Sequence, residues 1–441
     1  MRCIYTNVAR DKDGDIINDA TVTVYLAGSS TLASIYNSLA GTTATNSVTT
    51  NSKGEFTFYV DRFDYDSDQK FKYSVVKTNY DTKTYDYIDI DRVVTGTYTI
   101  SADTTVTTHI TVPKGVVYSV DSGKTLTFSG SVSAGPYQIF SGSGTVTGLN
   151  YSYPEWFGTN TTPGTTDMLS AIQRALTATV GTVRLLPNTT YAIDTTTTGL
   201  LIPSYTTLDL NGSTIKRIGS DIDNKMIQNE HYGVSTDYNI VIKNGTLQGT
   251  GAVGAVSDQG ACIGFYKVDG VLIEDITTVD SNGDGITPGR NAENVTLRRV
   301  RIGDYGRNGI SYSDGSFFFD DVQVTGSAIT GASPGAYWDV ENNNATETTT
   351  SVMNNVVSPR ITFADLHTLA GGSFAHKAQI TNSRFGPQYY GMKFISTNTT
   401  TATDIVISDT STVHVGPAIT NSYGLWIDNV SGIVFNGKII D

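Results

Sequence analysis

Beyond residue 180 the chain repeats itself, and the period of that repeat limits the fold more than any other feature of the sequence. Val271-Leu-Ile-Glu-Asp-Ile276 aligns with Val295-Thr-Leu-Arg-Arg-Val300 and with Phe317-Phe-Phe-Asp-Asp-Val322. Each run is followed by a Gly-containing turn and a second short strand: Asn282-Gly-Asp-Gly-Ile286 aligns with Gly306-Arg-Asn-Gly-Ile310 and then with Ala336-Tyr-Trp338. A unit of this length cannot bury its apolar residues alone, so successive units stack as coils of a β-solenoid. Stacking sets Ile on Ile and Val on Leu at the parallel-strand spacing of about 4.8 Å. Residues 180–441 would supply about eleven coils and a rod on the order of 50 Å long.

The rest of the chain is organised around that solenoid. With 441 residues there is room for two or three domains, and a content of 44 Gly and only 16% charged residues suits many short strands and turns. Residues 1–95 predict a small β-sandwich: Val22, Val24 and Leu26 alternate with polar neighbours, Phe56, Phe58 and Val60 repeat that period of two, and Phe71 to Val76 form a third run. Residues 96–150 read as a β-rich neck of short Thr/Ser/Gly strands. Helical spacing from Asp167 to Ala178, with Thr165 or Thr166 as N-cap, predicts a helix that covers the open first coil at the start of a 151–441 domain. The last run, Ile433 to Asp441, reads as strand with no cap of its own, so another chain or further sequence is expected to cover it.

Several function classes are disfavoured. A net charge of −13 and pI ≈ 4.8 oppose a nucleic-acid partner. No run reaches the roughly 18 to 20 apolar residues that would span a bilayer, and the first residues contain no apolar signal core, so membrane insertion and classical secretion are not expected. Cys3 and Cys262 suggest buried thiols. Asp11-Lys-Asp-Gly-Asp15 has the look of a calcium loop, but its twelfth position is Val22 and a hairpin turn fits better. His231, His367 and His376 lack metal-ligand spacing. No metal or cofactor is expected.

Tyr153-Pro-Glu-Trp-Phe-Gly158, Ala171-Ile-Gln-Arg-Ala175 and Val183-Arg-Leu-Leu-Pro187 followed by Tyr191 resemble the start of the pectate-lyase-like β-helix superfamily, which includes many bacteriophage tailspikes. Arg307-Asn-Gly-Ile-Ser311 and Pro334-Gly-Ala-Tyr-Trp-Asp-Val-Glu-Asn342 resemble a pattern of its phage and bacterial members. Residues 14–59 are similar to the small β-domain that precedes tail-fibre and tailspike β-helices. The chain departs from the family where a Gly-Asp-Gly before the capping helix is reduced to Thr165-Thr166-Asp167, and where Asn342 replaces a Pro. The resemblance implies an all-β fold: a right-handed parallel β-helix with an N-terminal capping helix, preceded by a β-sandwich. It also implies a homotrimeric tailspike on the virion tail, attached to a tail or baseplate protein through its N-terminal domain, that recognises a capsule or O-antigen chain.

Strand alternation with Trp338 and Val340 inward would turn Asp339 and Glu341 outward together, with Cα atoms roughly 6.6 Å apart. A glycosidase needs one carboxylic acid and one carboxylate, which makes Asp339 and Glu341 the candidate pair and Asp284 the third candidate. Thr287 and Ser311 would stack beside Asp339, with Asn308 close by. Arg307 and Arg290 could orient an acidic sugar, and a lyase would use such a cation beside a base. Trp156, Tyr389, Tyr390 and Trp426 could stack on sugar rings or fill the core. Asp and Asn beside Gly are also ordinary turn residues, and polar stacks stabilise solenoids without catalysis. A depolymerising tailspike, by hydrolysis or elimination, a non-catalytic receptor-binding spike of the same fold, and a bacterial extracellular polysaccharide lyase therefore all remain open at this point, the last disfavoured by the missing signal core.

Overall fold

The structure is a computed structural model that describes residues 1–39, 41, 43–66, 68–219, 223–251, 260–327, 337–342, 348–358, 361–365, 375–388, 390–396, 401–407, 411–415, 423–428 and 430–440. Two compact units result, Met1–Asn150 and Tyr151–Asp441.

The first unit opens as the expected sandwich. Strands Ser47–Thr49, Thr21–Leu26, Phe71–Val76 and Lys83–Ile88 form one antiparallel sheet, and Arg2–Val8 pairs with Glu55–Asp61 to form the other. Their alternating residues Val22, Val24, Phe56, Phe58, Val60, Phe71 and Tyr73 meet in one buried cluster, with Leu26 only partly covered. The Asp11 segment is a turn whose Asp11 carboxylate accepts hydrogen bonds from the Asp13 and Asp15 amides at 3.0 and 2.9 Å.

Residues 96–147 are more regular than a neck. Their short strands stack in three parallel sheets, with Val116 beside Gly96, Leu126 beside Thr104 and Val132 beside Ile110. This is a small three-sided solenoid. Val106, Ile110, Val116, Tyr118, Leu126 and Phe140 fill it.

The second unit starts with the helix Leu169–Ala178, which turns Ala171, Ile172, Ala175 and Leu176 inward. Its N-cap is Met168 rather than Thr165 or Thr166. Asp167 instead accepts hydrogen bonds from the amides of Leu169 and Asp194, at 2.9 and 3.0 Å, which ties the helix start to a strand of the first coil. Beyond the helix lies the right-handed parallel β-helix, with a 17-stranded sheet and a nine-stranded sheet. The repeats sit in register: Val271 on Val295 on Phe317, and Ile273 on Leu297 on Phe319. In the nine-stranded sheet, Ile227, Ile263, Ile286, Ile310 and Trp338 form one inward column, each 0% exposed. Each such aliphatic side chain contributes about 1.5–3 kcal/mol by leaving water.

On the longer sheet ten strands pair in parallel one above the next, from Thr179–Arg184 to Val430–Phe435, a height of about 43 Å that comes close to the eleven coils expected. Individual coils exceed the repeat of about 22 to 27 residues where Ile263 pairs with Ile227 and Trp338 with Ile310 across inserted sequence. Two features hold the corners. Asp275, Arg299, Asp321, Asn355 and Asn382 all adopt positive φ near +50°, and Arg299 bonds both oxygens of Asp275 at 2.7 and 2.8 Å. Gly285 and Gly309 are required by close approach, since a Cβ there would lie 2.6 Å from the Gly309 carbonyl and 2.4 Å from the Tyr337 carbonyl of the following coils. Among the described residues, no helix is long and apolar enough to cross a membrane.

Candidate functional site

The nine-stranded sheet positions the predicted residues. Because Ile263, Ile286, Ile310 and Trp338 point inward, the residues that follow them, Gly264, Thr287, Ser311 and Asp339, belong to the opposite, outward face. Ser311 lies directly beside Asp339 in register, and each is 8% exposed. A register shift between Ile286 and Gly289 gives the Thr287 coil an extra residue at this face.

The turns entering these strands carry the charge. The Gly283 carbonyl accepts the Gly306 and Arg307 amides at 2.8 and 3.1 Å, and the Gly285 amide donates to the Asn308 carbonyl at 2.9 Å, so adjacent turns are locked together. Asp284 then receives four hydrogen bonds: Arg307 Nε at 2.8 Å and Nη2 at 2.6 Å, the Asn308 amide at 3.0 Å and the Thr287 hydroxyl at 3.2 Å. The carboxylate is 1% exposed and held by a two-point guanidinium contact. Asn308 Nδ2 continues the row by donating to Asp339 Oδ2 at 3.3 Å. Asp284, Arg307, Asn308 and Asp339 are thus brought together over three successive coils.

Arg290 lies apart from this row, with its guanidinium 5.7 Å above the Tyr266 ring. Tyr266 meets Tyr232 edge-on at 5.6 Å. Trp156, 1% exposed and edge-on to Tyr153, is core. Glu341 pairs through its backbone with Ala364, but its side chain lies outside the described residues, as do those of His376, Tyr390 and Trp426. His367 and Tyr389 lie outside them altogether.

Sequence reasoning missed Lys225. It stands two residues before Ile227, as Asp284 stands before Ile286 and Asn308 before Ile310. That signal was present, but the insertion between Ile227 and Ile263 hid the alignment. Lys225 is 9% exposed, and its stem lies across Gly264, where a Cβ would sit 2.3 Å from Lys225 Cδ. Its amine is 4.8 Å above the Tyr232 ring. Burial lowers the pKa of this amine; the Asp284 carboxylate opposes that shift and the Arg307 guanidinium adds to it.

His231 is more than a lone imidazole. Its Nδ1 lies 2.8 Å from Asp237 Oδ1, and its amide donates to Oδ2 at 2.8 Å; Ser204 Oγ and Asn229 Nδ2 complete the set at 3.0 and 2.9 Å. Glu230, His231 and Asp237 bring ligand-type atoms within 4.8 Å of one another, yet both Asp237 oxygens are already occupied by these bonds. Cys3 and Cys262 are free and buried, and burial pushes the Cys262 thiol up to about 11.

No protein-family model and no curated protein matches this chain. Among solved structures it is similar to the mannuronan C-5 epimerase AlgE4 A-module of Azotobacter vinelandii, with 18% identity and a TM-score of 0.43, covering 66% of this chain and 76% of that one. The strand register, and not this likeness, carries the fold.

Proposed function

We propose that the chain is a tailspike-type protein that binds a bacterial surface polysaccharide, a capsule or O-antigen chain, on the outward face of the nine-stranded sheet and cleaves its glycosidic bonds. The observation that supports this reading is the polar row Asp284, Arg307, Asn308 and Asp339, which runs along the coil stack as a polymer site must. Asp339 and Glu341, two residues apart on one strand, are the proposed acid and base or nucleophile. Asp284 is a positioning residue in this scheme, because its oxygens are spent on Arg307, Asn308 and Thr287. Ser311 and Asn308 line the floor beside Asp339, and Arg307 and Arg290 offer positive charge to the sugar. The N-terminal unit would attach to a tail or baseplate protein, the working form would be a homotrimer, and the place of action would be the virion tail. The sequence resemblance supports these last three points.

A second reading, a non-catalytic receptor-binding spike, is favoured by the burial of Asp339 at 8% exposure. A third, a polysaccharide lyase, draws on the cations beside the row. Incubating the purified chain with a panel of bacterial surface polysaccharides, while following reducing ends and the ultraviolet absorbance of unsaturated sugars, tests all three. New reducing ends alone mean hydrolysis, reducing ends with absorbance mean elimination, and specific retention without either means binding only. No retention of any polymer overturns the proposal.

A further inference from the structure

We infer that the free edge of the strand Gly96–Ile100, in the first unit, takes an extended segment of a partner protein as an added β-strand, with one polar-tipped side chain of that segment seated in the cavity beside the edge. The inference concerns the first unit alone and does not rest on the polysaccharide reading above.

The backbone is the first argument. Gly96–Ile100 is the outermost strand of its parallel sheet among the described residues and pairs on one side with Val116–Val120. The Gly96 amide donates to the Gly115 carbonyl at 2.8 Å, and the Ile100 carbonyl accepts from the Asp121 amide at 3.0 Å. Backbone groups of successive strand residues point to opposite sides, so Gly96, Tyr98 and Ile100 serve the existing pair while Thr97 and Thr99 turn their N–H and C=O groups to the open side. Both threonines are exposed. Natural sheets blunt such an edge with charged residues, Pro or a bulge. Residues 93–102 contain no charged residue and no Pro, so this edge is left able to pair. An extended polypeptide is the ligand whose own N–H and C=O groups recur at the roughly 6.6 Å that separates Thr97 from Thr99.

The cavity is the second. A space of about 530 Å³ is lined by Thr97, Tyr98 and Thr99 of this edge and by Tyr36 and Phe63 of the sandwich, a volume in the range of ligand pockets. Tyr118, on the next coil, lines it too. This side chain is 0% exposed and meets Phe63 at 5.2 Å, yet its hydroxyl has no hydrogen-bond partner among the described residues. A buried hydroxyl left unpaired is destabilising, and a side chain that enters the cavity with an amide or hydroxyl tip would satisfy it. Side chains of an added strand alternate between its two faces, so every second one is offered to the cavity.

The test uses the full chain and a surface-displayed library of random linear decapeptides, with the retained peptides then synthesised free and their affinities measured by fluorescence anisotropy. Thr99→Pro removes an N–H from the open side and leaves the pairing with Val116–Val120 intact, as edge strands allow. The expected result is that Thr99→Pro weakens peptide binding about tenfold or more while Thr99→Ala keeps it. N-methylation of every second peptide amide should abolish binding in one phase and spare it in the other. Tyr118→Phe should fold as the unaltered chain does, since its hydroxyl bonds nothing in the free protein, and bind the peptides about fivefold more weakly. Retention of no peptide, or binding indifferent to Thr99→Pro and to both phases of methylation, overturns the inference. Undiminished affinity in Tyr118→Phe overturns the seating of a side chain in the cavity. Should Thr99→Pro fail to fold by circular dichroism, the two phases of methylation on the unaltered chain decide alone.

Discussion

Arg307 reaches across to the preceding coil and closes on Asp284 with two hydrogen bonds, of 2.8 and 2.6 Å, while the backbone of its neighbour Asn308 donates a third to the same carboxylate. The contact ties two coils together at the entrance to the outward face. Arg307→Ala leaves a carboxylate that is 1% exposed without its counter-charge. The expected cost is about 3 kcal/mol, at the lower end for a broken buried pair because Arg307 is 36% exposed. Urea unfolding of Arg307→Ala, Asp284→Ala and the double variant should show clear coupling, with the double variant less damaged than the two losses added. Additive losses would mean that the pair does little for stability.

The inward column positions Asp339 through its neighbour. Trp338 is 0% exposed and meets Phe319 edge-on at 4.9 Å. Trp338→Ala should cost about 3–5 kcal/mol by thermal or denaturant unfolding. A loss below 1 kcal/mol would show that the coil closes over the gap and that Trp338 does not fix the strand.

Gly264→Ala tests how firmly the Lys225 stem is held. The new Cβ would meet that stem and not backbone, so the stem should swing aside and the fold should tolerate the change with a loss below about 1 kcal/mol by denaturant unfolding. A loss of about 3 kcal/mol or more would show that the stem is fixed in place.

Stability should depend on pH through His231 and Asp237. The hydrogen bond to Asp237 raises the His231 pKa above 6.5, so its contribution is fully present below pH 6.5 and disappears as pH rises through the raised value. Burial alone would raise the Asp237 pKa, but hydrogen bonds from His231, Asn229 and Ser204 outweigh it and lower the value below 3.8. Its contribution is therefore present above pH 3.8 and lost as pH falls through the depressed value. Melting temperatures of the unaltered chain and His231→Gln, followed from pH 5 to 9, should differ most at the acidic end of that range and converge as pH rises. Parallel curves would contradict the pairing.

The fold was legible because stacking needs repetition, and Val271, Val295 and Phe317 repeat in sequence as they pair in space. The coil number came within one of the ten strands stacked on the longer sheet, because insertions such as that between Ile227 and Ile263 lengthen a coil without altering its strands. The three-sided solenoid at 96–147 escaped notice because its strands are short and rich in Thr, Ser and Gly, so little apolar periodicity marks them. At the site, Asp284, Asn308 and Asp339 were found because they flank aligned Ile and Trp positions. What sequence could not give was where Arg307 would spend its charge, since bonding to Asp284 depends on the stacking of two turns. Nor could it reveal the reach of Lys225 over Gly264, which depends on the missing side chain of a residue 39 positions away.

The measurement that bears most directly on the account is product formation from the retained polysaccharide by the unaltered chain, Asp339→Asn and Glu341→Gln, with binding followed in parallel. The account predicts that each variant stays folded and still binds the polymer, while release of reducing ends falls about a hundredfold or more, as loss of a catalytic acid or base requires. Undiminished release of reducing ends by both variants would contradict it.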